Sequence, residues 1–232
     1  EHPFDNGELV IRDENLAARP RTEQEIRRHI ADYFAMITHV DAEMGRVMDC
    51  LRAQGLAEDT VIVFAGDNGL AVGRHGLMGK QNLYEHSVRV PLVFSGPGVP
   101  AGVRSDAHTY LIDIYPTLCE LCGLEAPGTV EGTSLSPAMK NPDEHIRDTL
   151  LYAYRHLQRA AGDDRYKLIE YVVDGHRTTQ LFDVLEDPWE LNNLADDPAC
   201  ADDLARLRRE MSRWRDELDD PCEEFWTAFN GA

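Results

Sequence analysis

The chain has 232 residues, 43% of them hydrophobic, which is the composition of a folded globular protein rather than a disordered one. Its 42 acidic and 23 basic side chains give a formal net charge of −19, which repels phosphate backbones and argues against nucleic-acid binding. No apolar run approaches the roughly 18 residues that a membrane span needs, so we expect no membrane span.

The first predicted element is a long helix. Thr22 and Glu25 are spaced as a capping box, which is typical of a helix start. Apolar residues then recur at helical spacing as far as Leu51. Gly55 follows as the expected C-terminal cap.

Two short β-branched segments follow, at residues 60–65 and 90–95. Continuous apolar runs of this length predict strands that are buried on both faces. Because a helix precedes the first buried strand, the order of the elements favours an α/β fold with a mostly parallel central sheet flanked by helices.

The pattern changes after residue 147. Short apolar segments without helices between them predict a small antiparallel sheet, and an amphipathic terminal helix follows. The predicted strands are 150–154, 166–173 and 180–184, and the helix is 201–218. We therefore predict an α/β domain over 1–147 and a small α+β subdomain over 148–232.

The candidate metal ligands are Asp67 and Asn68, directly after the first predicted strand. Sites in α/β sheets lie beyond the carboxyl ends of strands. A carboxylate beside a carboxamide offers hard oxygen donors, which suit Ca²⁺ or Mg²⁺ better than zinc. Gly69 lets the backbone turn there. An ordinary Asp-Asn-Gly turn is the alternative interpretation.

The glycine-rich segment 70–80 carries the remaining candidate residues. The long amine of Lys80 can reach an anion held on the metal, or it can be an ordinary surface lysine. His75 can donate a hydrogen bond to an ester oxygen, or it can fix the loop.

Three separated motifs then resemble the sulfatase family, in its arylsulfatase-like, alkaline-phosphatase-superfamily form. The first is Y-F-A-M-I-T-H-V-D with G-R-V after it, at residues 33–47. The second runs V-I-V-F-A-G-D-N-G through G-R-H-G-L-M-G-K to R-V-P-L-V-F-S-G-P-G, within residues 60–98. The third is L-F-D-V-L-E-D-P-W-E-L-N-N-L at residues 181–194. Together they span most of residues 30–195, in the family's order.

The resemblance implies roles for the candidate residues. Asp67 and Asn68 match the family's ligands for one divalent cation, Ca²⁺ or else Mg²⁺. Lys80 matches the lysine that contacts the sulfate, and His75 matches a histidine common before it. The implied fold is alkaline-phosphatase-like.

The family's nucleophile is not found in this sequence. It is a formylglycine made from a Cys/Ser-x-Pro-x-Arg motif, and no such motif occurs here. The paired aspartates that complete the family's metal site are also missing. We therefore expect the chain to be the C-terminal portion of a longer enzyme, with formylglycine in the missing N-terminal part.

The expected function is hydrolysis of a small-molecule or carbohydrate sulfate ester. Two alternatives are a phosphonate or phosphate ester hydrolase of the same superfamily, and a non-catalytic half-fold that binds a metal or partner. We expect this fragment alone to be inactive. We also expect it to pack against the missing N-terminal half, because strands buried on both faces need cover.

Overall fold

The computed structural model describes residues 1–230. The helices are α1 Glu23–Ala53, α2 Glu85–Val88, α3 Ile114–Leu121, α4 Ser136–Lys140, α5 Ala201–Leu218 and α6 Glu223–Asn230. The strands are β1 Ile62–Ala65, β2 Leu92–Ser95, β3 Leu150–Tyr154, β4 Gln158–Gly162, β5 Tyr166–Val173 and β6 His176–Asp183. Of the helices in residues 1–230, none is both long and apolar enough to cross a membrane.

The chain forms two compact units, each assembled from separate segments. The helical unit comprises Glu23–Asp67 and Val90–Arg147. The sheet unit comprises Glu1–Thr22, Asn68–Arg89 and the described part of Asp148–Ala232. The division into domains 1–147 and 148–232 stays a prediction.

The helical unit leaves much apolar surface uncovered. Helix α1 has no buried residue, although its apolar side chains follow the predicted helical spacing. Phe34, Val40 and Val47 are 62%, 53% and 62% exposed. Such a continuous apolar face is unusual on the surface of a soluble monomer.

Strands β1 and β2 differ from the prediction in two respects. They pair antiparallel, with Ile62 opposite Ser95 and Ala65 opposite Leu92, rather than lying in a parallel sheet. They are also not buried on both faces, since Phe64 is 41% and Val93 is 54% exposed. A run of β-branched residues favours a strand, but it fixes neither the direction of the neighbouring strand nor what covers it.

The sheet unit is built on the predicted antiparallel sheet, in the order β3-β4-β5-β6. Side chains of β5 alternate between its two faces, as in any strand. Leu168 and Val172 belong to a core shared with α5 and α6. Ile169 and Tyr171 belong to a second core, which includes Tyr84 of the 68–89 segment. The segment that carries Lys80 is therefore packed against the sheet.

Candidate active site

The structure brings two of the predicted site residues into contact. Lys80 Nζ donates a hydrogen bond to Asn68 Oδ1 at 3.0 Å. Lys80 is exposed, whereas Asn68 is partly buried and also donates from Nδ2 to the Gly69 carbonyl at 3.0 Å. The predicted role of Lys80, contact with an anion held on a metal, stays a prediction.

Gly69 fixes the backbone at this point. Its N–H donates to the Ser87 carbonyl at 2.9 Å. A Cβ atom at this position would lie 1.9 Å from the carbonyl oxygen of His86, so only glycine fits without moving the backbone. The glycine is required by this close approach of two chain segments, more than by the turn itself.

The loop between Asn68 and Lys80 closes as a tight hairpin. Ala71 N–H donates to the Gly79 carbonyl at 3.0 Å, and Gly73 N–H to the Leu77 carbonyl at 2.7 Å. Ala71 and Leu77 are almost completely buried and belong to the second core. The hairpin therefore has a packed interior that holds its tip in place.

His75 lies in an aromatic stack. Its ring is parallel to that of Tyr84, with centroids 3.9 Å apart, and His86 stacks beside them. His75 Nε2 is 3.1 Å from the Trp189 carbonyl. The hydrogen bonds described for the His75 ring and carbonyl go to Trp189 and His2, and not to Asn68 or Lys80.

A buried ionic cluster, absent from the predictions, ties the same segment to the sheet. Lys167 Nζ on β5 lies 2.9 Å from Glu85 Oε1 and 3.0 Å from Glu190 Oε1. Glu190 Oε2 accepts the Glu85 N–H at 2.7 Å. Burial raises the pKa of Glu190, although Lys167 opposes the shift. Glu190 lies in the 181–194 motif, and this motif is the only feature of the quoted sequence patterns that could have pointed to it.

Three partly buried histidines of the sheet unit, His2, His75 and His86, have lowered pKa values. Burial lowers the pKa of His86 to about 3, with the charges of His75, Arg74 and Lys167 adding to the effect. Burial also lowers the pKa of His2 to about 4 and lowers that of His75. These imidazoles are therefore neutral in the folded protein at pH 7.

We expect the free energy of unfolding to fall as the pH drops from about 6.5 towards 4. In this window the unfolded histidines bind protons, at their ordinary pKa near 6.5, while the folded ones bind fewer because their pKa values are lowered. Each contributes at most about 1.4 kcal/mol per pH unit, and the raised pKa of Glu190 offsets a part. Urea unfolding at pH 7 and pH 5 measures the change, and His86→Gln should flatten it. Equal stability at both pH values would contradict this account.

The two predicted metal ligands fit a hard cation only as part of a larger set. Asp67 is exposed and ends the first segment of the helical unit, and Asn68 begins a segment of the sheet unit. Within residues 1–230, no group of three or more His, Cys, Asp or Glu residues is placed to hold a metal ion. A carboxylate and an amide oxygen are the right kind of donor for Ca²⁺, which takes about six to eight oxygens.

Comparison with known families matches nearly the whole chain. The family model described as "N-sulphoglucosamine sulphohydrolase, C-terminal" matches residues 73–217, and the model described as "Sulfatase" matches residues 11–124. The chain belongs to the sulfatase family.

A choline-sulfatase of Rhizobium meliloti is 37% identical over 194 residues, covering 80% of this chain and 37% of the relative. The chain thus spans little more than a third of that relative's length. The resemblance inferred from the sequence motifs is confirmed.

Solved structures confirm the predicted alkaline-phosphatase-like fold class. A protein in complex with its substrate D-glucosamine-2-N,6-O-disulfate has a TM-score of 0.79 at 26% identity, over 87% of this chain and 43% of that one. A phosphonate monoester hydrolase from Silicibacter pomeroyi has a TM-score of 0.74 at 29% identity, over 92% and 45%.

Proposed function

We propose that this chain supplies the sulfate-binding part of a metal-dependent sulfuric ester hydrolase. The observation that carries the proposal is the 3.0 Å contact between Lys80 Nζ and Asn68 Oδ1. The family resemblance assigns sulfate contact to the first of these residues and cation ligation to the second. Membership of the sulfatase family supports both assignments.

In this function Lys80 stabilises negative charge on the sulfuryl oxygens as the ester bond breaks. Its ammonium group has three donors. One is engaged by Asn68, which leaves two for the anion and fixes the direction in which they point. In a chain with a net charge of −19, such a local cation is needed for an anionic substrate to bind.

Asp67 and Asn68 are the proposed ligands of one cation, Ca²⁺ or else Mg²⁺. When bound, such a cation supplies Lewis-acid stabilisation of the same negative charge. The amide oxygen of Asn68, which accepts from Lys80, is an oxygen donor of the kind that Ca²⁺ and Mg²⁺ prefer. The remaining ligands and the formylglycine nucleophile are proposed to come from outside these 232 residues.

His75 had two predicted roles, donation to an ester oxygen and fixation of the loop. Its stacking on Tyr84 and its contact with the Trp189 carbonyl support the second role. We therefore propose that His75 acts on the substrate only indirectly, by keeping the hairpin in register with the sheet.

The proposed substrates are sulfate esters of small alcohols or sugars, in keeping with the relatives named above. The similarity to a phosphonate monoester hydrolase supports a second candidate, hydrolysis of phosphonate or phosphate esters. The test is kcat/KM of the whole protein on matched 4-nitrophenyl sulfate, phosphate and phenylphosphonate, after chelation and after Ca²⁺ or Mg²⁺ is restored. A preference for a phosphorus ester would favour the second candidate, and no turnover of any ester would favour a non-catalytic half-fold.

We further propose that the apolar face of α1 and the strand pair β1–β2 pack against the part of the longer protein that this chain does not span. The exposure of Phe34, Val47 and Val93 supports this partner. So does the 37% coverage of the choline-sulfatase. Sedimentation of the 232-residue chain alone should show self-association, and a well-behaved monomer would count against the proposal.

A further inference from the structure

The backbone immediately before Lys80 is held by a buried carboxylate from a distant part of the chain. Glu14, in the short 3-10 turn Arg12–Leu16, accepts the N–H of Gly79 at 2.8 Å on Oε1. It also accepts the N–H of Met78 at 3.1 Å on each of its two oxygens. One side chain therefore satisfies the two amides that lead into Lys80.

An arginine fixes that carboxylate in turn. Arg21 Nη2 donates to Glu14 Oε2 at 2.6 Å and to the Glu14 carbonyl at 2.9 Å. Arg21 Nη1 donates to the Gly76 carbonyl within the hairpin. The side chains of Arg21 and Glu14 are only 6% and 4% exposed, so the pair is shielded from solvent and its geometry is well defined.

The amide of Lys80 itself is held from the same turn. Lys80 N–H donates to Gln81 Oε1 at 2.9 Å, and Gln81 Nε2 donates to Asp13 Oδ2 at 2.7 Å. The contact is tight, because a Cβ atom on Gly79 would lie 2.4 Å from Gln81 Oε1 and 2.9 Å from Asp13 Cβ. Three successive backbone amides, at 78, 79 and 80, are thus fixed directly or indirectly by residues 13 and 14.

We propose that Glu14 is a positioning residue for Lys80. It acts through the backbone that leads into Lys80 and so places the amine that is proposed to bind sulfate. Lys80 has a long flexible side chain that is exposed, and only Asn68 is described as holding its amine. The position of the Lys80 Cα must therefore be fixed by the backbone. Glu14 holds that backbone, and Arg21 holds Glu14. This inference rests on the proposed role of Lys80 in binding sulfate.

Glu14→Gln tests the proposal, with Glu8→Gln as the matched control. Glu8 is also buried in the N-terminal segment and paired with an arginine, Arg155, at 2.8 Å, but the hydrogen bonds described for its side chain do not involve the hairpin. A glutamine at position 14 places an N–H₂ donor where a backbone N–H and Arg21 both need an acceptor.

We expect Glu14→Gln to speed hydrogen exchange of the Met78 and Gly79 amides at least tenfold. We also expect it to raise the Kd for inorganic sulfate, followed by the backbone amide signal of residue 80 in the whole protein, about tenfold. Glu8→Gln should leave both values within about twofold. Gln81→Leu, which removes the acceptor for the Lys80 N–H, should also weaken sulfate binding and serves if Glu14→Gln does not fold.

Lys80→Ala separates the two levels of the argument. If Lys80→Ala leaves the sulfate Kd unchanged, the proposed role of Lys80 is wrong. Hydrogen exchange of the Met78 and Gly79 amides in Glu14→Gln then tests by itself whether Glu14 fixes this backbone. If Lys80→Ala weakens sulfate binding but Glu14→Gln and Gln81→Leu do not, the positioning role is overturned. Unchanged exchange at Met78 and Gly79 in a folded Glu14→Gln would also overturn it.

Discussion

Replacing Lys80 with methionine is expected to lower kcat/KM of the whole protein for a sulfate ester by about 10²- to 10³-fold. Methionine keeps the apolar stem but removes the charge that is aimed at the sulfuryl oxygens, and the loss of one such donor costs about this much in other hydrolases. Lys80→Arg keeps the positive charge but spreads it over a planar guanidinium group, which does not replace the compact ammonium group. Its kcat/KM should therefore lie between those of Lys80→Met and the unmodified protein.

The measurement is steady-state kinetics of both variants beside the unmodified protein. Lys140→Met is the matched control, since Lys140 is a 70% exposed lysine whose partner Glu120 lies 3.3 Å away. It should leave kcat/KM within about twofold. An unchanged kcat/KM in Lys80→Met would show that Lys80 takes no part in catalysis. The contact between Lys80 and Asn68 would then no longer support the proposed site.

The same substitution at Lys167 is expected to act on stability instead. Lys167 is 2% exposed and lies between the carboxylates of Glu85 and Glu190. Lys167→Met leaves both carboxylates without their cation in a buried place, which costs about 3–5 kcal/mol of unfolding free energy. Lys140→Met, which breaks an exposed pair, should cost no more than about 1 kcal/mol.

Urea unfolding followed by circular dichroism measures both variants, with equal m-values as the check that the transition is the same. A loss below 1 kcal/mol for Lys167→Met would mean that Glu190 takes up a proton and needs no lysine. That outcome would also agree with the upward shift that burial gives to the pKa of Glu190.

The fold could be predicted from the sequence where local pattern and burial agree. Helix α5 has the predicted bounds, Ala201–Leu218, because its apolar residues keep a helical period and pack on the sheet. Strand β4, Gln158–Gly162, was missed because its sequence, Q-R-A-A-G, has no apolar run. Its buried Arg159 is paired with Asp220, 61 residues away, which accepts from Arg159 Nε at 2.6 Å.

The candidate site was predictable to a similar extent. Asn68 and Lys80 are close in sequence, and a strand end followed by a glycine-rich loop was enough to place them together. Glu14 was missed because its partners lie 64 and 65 residues away, and nothing in its own turn marks it. The stacking of His75 on Tyr84 likewise depends on tertiary packing that periodicity does not encode.

The segmented sheet unit has a consequence for biosynthesis. Tyr84, in the same segment as Lys80, donates to Gln180 across 96 residues, and its core neighbours include Ile169 and Phe182. During translation the hairpin therefore leaves the ribosome well before the strands on which it rests. Contacts of such long range form slowly, so the Lys80 loop is expected to stay unstructured and open to chaperones until residues 166–183 have emerged.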